Sequence, residues 1–232
     1  MKKGPFHYIS LEGWPIFKQL QLEEALIRAD NRNWCITNCG SSPSIVMGIS
    51  GKPELLIDEG HHSKNPVPLI RRFSGGGTVF VDQNTLFVTF ICNSEDFGVP
   101  CLPKEVMRWT EKIYEPLFQG KKFQLRENDF VLEDRKFGGN AQYLQKKRWL
   151  HHSSLLWNYD PIAMNVLKLP PKMPDYRKSR PHSEFLCTLN EHFSDQNEVI
   201  QGILNSLEYK KVEYTEYSSI LDLPHRKATT LV

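Results

Sequence analysis

The sequence predicts an α+β fold, with a mixed, mainly antiparallel central sheet flanked by helices. Short β-branched or aromatic runs bounded by Gly, Pro, Asn and Asp recur from residue 34 to residue 157. Few segments carry the apolar spacing of a helix, and helices do not alternate with strands as a parallel βαβ sheet requires.

Residues 15–30 form the first expected helix, with Leu22, Ala25, Leu26 and Ala29 on one stripe. Residues 34–38 and 44–47, separated by Gly40, Ser41, Ser42 and Pro43, read as two strands joined by a turn. Residues 69–73 lead into Ser74, Gly75, Gly76 and Gly77, then 78–81 and 85–92 follow with a break at 82–84: a strand, a glycine loop and a hairpin. Pro103 opens a second long helix, where its missing N–H costs nothing, with Val106, Trp109, Ile113 and Leu117 on the buried face. Residues 129–133, 136–144 and 150–157 read as three more strands, the first two connected by Asp134 and Arg135. Beyond Asp160 the pattern turns helical, then Pro-rich over 170–181; a helix over 198–207 and a strand over 212–217 complete it. No repeat or linker intervenes, so one domain over 1–232 is expected.

The 232 residues suffice for a substantial core, and 40% hydrophobic with 24% charged residues excludes disordered and fibrous classes. No run approaches the roughly 18 apolar residues of a membrane span. The N-terminus has two lysines but no apolar segment of a secretory signal. Cys35, Cys39, Cys92, Cys101 and Cys187 are odd in number and form no CxxC pair, which points to reduced thiols rather than a disulfide framework or zinc ribbon. A cytoplasmic location is the expectation, an organelle staying open. The net charge of +2 gives no sign of a nucleic-acid partner. Lys168, Lys172, Arg177, Lys178 and Arg180 cluster among prolines, either as a solvated face or as a site that steers an acidic partner or holds a phosphate.

Gly75, Gly76 and Gly77 admit close backbone approach and positive φ, and their amide groups can form a nest for an anion. The loop runs from strand to strand, so it is neither a P-loop nor a dinucleotide fingerprint, both of which need a following helix. By itself the triplet serves equally as a bulged hairpin turn. Lys136 enters a strand containing Gly138 and Gly139; as a cation over an open floor it would stabilise charge on a carboxylate or acyl phosphate. The plainer alternative is a solvated lysine. Asn128 and Asp129, just upstream across a hairpin, suit magnesium or simply make a turn. His151 and His152 are adjacent on a strand, so they point to opposite faces and cannot share a metal. One is expected to be structural and the other to face the cleft; His61 and His62 sit in a polar loop without comparable context.

The order and spacing of these segments resemble the lipoate–protein ligases. Residues 71–82, RRFSGGGTVFVD, are similar to the family's RRxSGGGAVFHD. Residues 127–132 (ENDFVL) resemble RNDLVV, 134–141 (DRKFGGNA) resemble DRKVSGSA, and 150–158 (LHHSSLLWN) resemble FHHGTLLLN. Leu22, Glu23, Glu24 and Ala25 and the run 44–48 are compatible with the same alignment, which covers roughly residues 15–189.

The resemblance implies a fold shared with biotin ligases and octanoyltransferases, and a reaction in which lipoate and ATP give lipoyl-adenylate before an acceptor lysine attacks the acyl carbon. It implies that Lys136 contacts the acyl carbonyl and adenylate phosphate, and that Gly75, Gly76, Gly77 and Thr78 cradle the activated group. Arg72 and Ser74 would brace and complete that loop. Asn128 and Asp129 would hold nucleotide and Mg2+, and Gly138, Gly139, Ala141 and His152 would line the pocket. The implied acceptors are lipoyl domains of 2-oxoacid dehydrogenases or the glycine cleavage H protein.

Val81 stands where the family has histidine, and Gly48, Ile49 and Ser50 stand where an arginine usually follows Ile-Gly. The match leaves out the C-terminal accessory domain of larger bacterial ligases, so a separate partner subunit is an expectation. One alternative is an octanoyl or lipoyl transferase using a cysteine; Cys101 lies too early for one such class, and Cys187 is the candidate for the other, neither with a visible activating environment. Another is a non-catalytic module that binds lipoyl domains. Biotin ligation is disfavoured, since that family's arginine-glycine loop is missing.

Overall fold

A computed structural model describes residues 5–169 and 173–232. In chain order its main elements are β1 (Phe6–Glu12), α1 (Ile16–Ala29), β2 (Trp34–Cys39), β3 (Ser44–Met47), β4 (Leu69–Arg71), β5 (Val79–Val81), β6 (Thr85–Asn93) and α2 (Pro103–Tyr114). There follow β7 (Phe123–Arg126), β8 (Asp129–Leu132), β9 (Arg135–Leu144), β10 (Arg148–Leu156), α3 (Gln196–Leu204), β11 (Tyr209–Lys211) and β12 (Thr230–Leu231). Eight strands form one sheet in the order β11-β1-β2-β6-β10-β9-β8-β7, antiparallel except where β1 runs parallel to both neighbours. A second sheet has the order β12-β4-β3-β5. The expected α+β architecture with a mixed, mainly antiparallel sheet is what the chain adopts.

The pleat of β6 explains the layering. Leu86, Val88, Phe90 and Cys92 point to one face and pack with Val106 and Tyr114 of α2 and Val199 and Ile203 of α3. Ile91 points the other way, joining Leu22, Ala25 and Leu26 of α1, and Phe87 on that face meets Ile16 and Leu20. Because helices cover both faces, β6 reads as an uninterrupted apolar run rather than an alternating one. No helix among the described residues is long and apolar enough to cross a membrane.

Several local expectations are corrected. The two strands expected over 34–38 and 44–47 form but do not pair with each other: β2 lies in the large sheet and β3 in the small one. β5 and β6 are likewise in different sheets, so the chain crosses between sheets at Asp82–Asn84 instead of folding back. Tight turns cannot distinguish a hairpin from a crossover, because the local backbone signal is the same. The β8–β9 turn is at Glu133 and Asp134, one residue earlier than expected, with Glu133 at φ 58°. On α2 the most buried residues are Val106, Met107, Thr110 and Tyr114, while Trp109 and Ile113 are half-buried. The expected strand over 212–217 is mostly helical: Glu213 and Glu216 cap each other reciprocally and start a helix over Tyr214–Ser218, and the strand lies earlier, at Tyr209–Lys211. β1, unforeseen because its apolar residues are interrupted by His7 and Ser10, is the strand that β2 pairs with.

Glu23 and Glu24 sit mid-helix in α1 yet are both buried. Glu24 accepts from the backbone amides of Ala228 and Thr229 at 2.9 Å and from Arg28 at 3.0 Å, which ties the β12 segment alongside β4. Glu24→Ala should lower stability by about 1–3 kcal/mol, the cost of leaving such donors unpaired. Hydrogen exchange should then quicken selectively over 228–231, with β6 amides still protected.

Candidate active site

The cleft face is built at an irregularity in the pairing of β8 with β9. Val131 pairs with Lys136 and Phe130 with Gly138, so Phe137 is an extra residue in β9. A bulge of this kind shifts the alternation of side chains by one. Lys136 and Gly139, three apart, therefore project to the same face, and a Cβ on Gly139 would lie 3.6 Å from the Lys136 Nζ. Gly139 keeps the floor under Lys136 open. Gly138 faces the opposite side, where a Cβ would press on Leu155 and Phe130, so it is a packing glycine rather than a cleft residue.

Lys136 Nζ lies 2.8 Å from Asp129 Oδ1, and the other oxygen of Asp129 accepts from the Tyr176 hydroxyl at 2.8 Å. Burial and then the Asp129 charge raise the Tyr176 pKa, so this phenol remains a donor. Tyr176 belongs to a strap over 173–187 laid across the start of β9. Cys187 N donates to the Lys136 carbonyl at 2.9 Å, Arg180 reaches the Asp134 carboxylate at 3.0 Å, and Arg126 lies 4.7 Å over the Tyr176 ring. The basic run is divided: Arg177 is only 4% exposed and Arg180 half-buried, whereas Lys168 and Lys178 remain on the solvated surface. Lys172 of that run lies outside the described residues. His182 of the strap is pushed down to about 4 by burial and by the charges of Arg177 and Lys136, so it is neutral near pH 7.

Opposite, the glycine loop is held by the buried guanidinium of Arg72. Its Nη2 donates to the carbonyls of Gly75 and Gly77 at 2.8 and 2.9 Å, and its Nε donates to Ser74 Oγ at 3.0 Å. A trans peptide places its C=O and N–H on opposite sides. Turning those two carbonyls onto Arg72 therefore turns the amides of Gly76 and Thr78 away from it. Among the described residues, no protein acceptor takes the amides of Gly75, Gly76, Gly77 or Thr78. Gly76 has φ 102°, and a Cβ there would sit 2.7 Å from Arg72 Nη2 and 3.0 Å from Ala141 Cβ. The loop thus rests on the stretch of β9 just beyond Gly139, and Gly48 permits this, since a Cβ at Gly48 would strike the Gly76 carbonyl oxygen.

Arg72 is buried, and that burial pulls its pKa down to about 10 against the favourable charge of Glu23. The two charges are joined by a chain. Ser74 Oγ is 3.2 Å from His152 Nε2, and His152 Nδ1 is 2.8 Å from Glu23 Oε2. Gln19 and Thr89 donate to the other Glu23 oxygen at 2.8 and 2.7 Å. At the two ends the direction is fixed: Arg72 Nε donates to Ser74 Oγ, and the Glu23 carboxylate accepts from His152 Nδ1. His151, on the other face, is fully buried among Asn140, Gln142 and Ser153, and burial with the His152 charge pushes it down to about 3. The two histidines do point to opposite faces.

Lys136, Asp129, Gly139, Ala141, the glycine loop and its Arg72, Ser74 and His152 supports are brought around one cleft face of β9. Asn128 is on the outer turn, exposed, where its carbonyl accepts from Asn140 at 3.0 Å. Sequence reasoning did not single out Glu23 or Tyr176. Two glutamates inside an apolar helical stripe were the available signal for Glu23; nothing local marks Tyr176. Both Asp129 oxygens are engaged, and among the described residues no cluster of three or more His, Cys, Asp or Glu is placed to hold a metal. Asp129 offers a single carboxylate, so a Mg2+ held here would take its remaining ligands from substrate phosphates and water. Cys187 is buried and its thiol is raised to about 11, chiefly by that burial, which opposes the thiolate a nucleophile needs.

A family model described as the lipoyl protein ligase A/B catalytic domain matches residues 15–208. The chain is 26% identical over 274 residues to the inactive lipoate–protein ligase 2 of Plasmodium falciparum, covering 89% of this chain and 71% of that protein. It is 31% identical over 120 residues to the lipoate–protein ligase LplJ of Bacillus subtilis, covering 51% of this chain but only 35% of that one. Among solved structures, a lipoate–protein ligase A bound with ATP superposes with a TM-score of 0.77 at 18% identity, covering 94% and 93% of the two chains. A bi-partite lipoate protein ligase of Thermoplasma acidophilum gives 0.76 at 17%, covering 94% and 91%. At these identities the structural likeness establishes the fold.

The buried His151 has a pH consequence. Its folded pKa lies below the ordinary 6.5, so the unfolded chain takes up the proton first. Its contribution is whole above pH 6.5 and drains away as pH falls toward about 3. Denaturant titrations between pH 7 and pH 4 should show stability falling, with a shallower slope in His151→Gln.

Proposed function

The chain belongs to the lipoyl protein ligase A/B catalytic-domain family, and from that premise we propose that it attaches lipoate to a lysine of an acceptor lipoyl domain through a lipoyl-adenylate. The observation that carries this reading is the opposition of one ammonium, Lys136, to a loop with unused backbone donors across an open glycine floor. Acyl activation needs such an arrangement. A lipoate carboxylate oxygen attacks the α-phosphorus of ATP, the mixed anhydride forms and pyrophosphate leaves. Negative charge grows on the phosphorus oxygens, where fixed donors stabilise the transition state.

In the second half-reaction the acceptor amine attacks the acyl carbon, the C–N bond forms, AMP leaves and the amine gives up a proton. Lys136 serves as the cation for the acyl oxygen and the phosphate, with Gly75, Gly76, Gly77 and Thr78 supplying amide donors. Arg72, Ser74 and His152 keep those amides aimed, and Gly139 and Ala141 leave room for the substrate. ATP and lipoate as substrates accord with relatives whose structures were solved with ATP and with lipoic acid. A lipoyl-domain acceptor and a separate partner subunit accord with the bi-partite archaeal ligase and its lipoyl domain.

The relative named as inactive supports a second reading, in which the chain binds its partner without activating lipoate. Mass spectrometry of the protein with lipoate, ATP and a lipoyl domain separates the two. Lipoyl-adenylate or a lipoylated lysine supports ligation; neither, with the lipoyl domain still bound, supports the silent module. If ligation holds, Lys136→Ala should fold normally and lose about 10²–10³ in rate, as when one preorganised electrostatic donor is removed. Undiminished adenylate formation in that variant would remove Lys136 from its role.

A further inference from the structure

The Lys136–Asp129 pair creates a difficulty for any ligand. An anion that binds the ammonium must draw it from Asp129, whose side chain is only 10% exposed. A buried ion pair that loses one partner is strongly destabilised, because the other charge stays behind unpaired. Tyr176 supplies a hydrogen bond to Asp129 but no positive charge.

A spare cation lies next to Tyr176 in the strap. Arg177 is 4% exposed, and its Nε donates to the Arg180 carbonyl at 2.9 Å. Its guanidinium carbon sits 4.7 Å over the Phe185 ring. Its Nη2 is buried, and among the described residues has no hydrogen-bond partner. Buried donors are nearly always paired, so an idle one on a charged group calls for a physical reason. Burial lowers the Arg177 pKa, and of the neighbouring charges Asp129 does most to counter it.

We propose that Arg177 is the reserve counter-ion of Asp129: when an anionic substrate draws Lys136 away, the idle Nη2 of Arg177 takes its place on the carboxylate. Arg177 is then a positioning residue. It need not touch the substrate, and its work is to let Lys136 leave Asp129 without stranding a buried charge. The resting pair holds Lys136 in place, and the strap supplies the means of its release. This handover rests on Lys136 meeting the anionic substrate proposed above.

The groups facing Asp129 and its partners are Lys136 from β9, Tyr176, Arg177 and His182 from the strap, and Arg126 and Glu127 beside the Tyr176 ring. The test uses the full chain without substrate, so it stands apart from any enzyme assay. Lys136→Met imitates departure of the ammonium. Thermal unfolding of wild type, Lys136→Met, Arg177→Met and the double variant is measured at pH 8 and pH 5. At pH 8 the double variant should melt about 10 °C lower than the sum of the single effects, the scale expected for a stranded buried charge in a chain of this size.

That excess should shrink at pH 5, where an unpaired buried carboxylate takes up a proton. It should vanish in an Asp129→Asn background and be partly rescued by Arg177→Lys. Additive effects at pH 8 would overturn the handover, as would an excess unchanged by pH or by Asp129→Asn. If the double variant fails to fold at pH 8, folding restored by Asp129→Asn supports the proposal and continued failure overturns it.

Discussion

Two opposite charges buried without direct contact, Arg72 and Glu23, organise the centre of this protein. Neither group is tolerable alone in a dry interior, and the Ser74–His152 chain links them. Arg72 follows β4 of the small sheet, His152 comes from β10 of the large one, and Glu23 from the helix packed on that sheet. Satisfying two charges therefore fixes the small sheet, the large sheet and α1 against one another. The glycine loop inherits this rigidity, because the same guanidinium holds the Gly75 and Gly77 carbonyls.

The cleft opposite the loop pairs its charges directly, Lys136 with Asp129. Lys136 is half out of the interior, with a side chain 25% exposed, while its partner Asp129 is far more enclosed. Arg177 and Arg180 converge on the Phe185 ring from the strap. Burial, with the charges of Arg177 and Lys136 beside it, keeps His182 uncharged.

Much of this was legible in the residues. The glycine triplet, Lys136 between a turn and two glycines, and paired histidines on a strand each have a local physical meaning. The opposite facing of His151 and His152 follows from strand geometry alone. What was not legible depends on register. Lys136 and Gly139 share a face only because Phe137 is an added residue in β9, and a bulge leaves no mark in the residue pattern. Gly138 was grouped with the cleft for the same reason, although it packs against Leu155. The basic run beyond Lys168 suggested a solvated or anion-steering face, but burial of Arg177 and pairing of Arg180 with Asp134 are long-range events.

The sequence by itself determined the fold class, most of the strands and the motifs around which the cleft is built, because apolar periodicity and glycine chemistry act over a few residues. Only the tertiary structure decided which strands share a sheet, which glycine serves the cleft, and which partners Glu23, Tyr176 and Arg177 find. Those outcomes rest on burial and pairing between segments far apart in sequence, as from Phe6 to Tyr209 in the sheet and from Glu23 to His152 in the charge chain. The cost of leaving a charge unpaired in the interior can be assigned to particular residues only when the chain is folded.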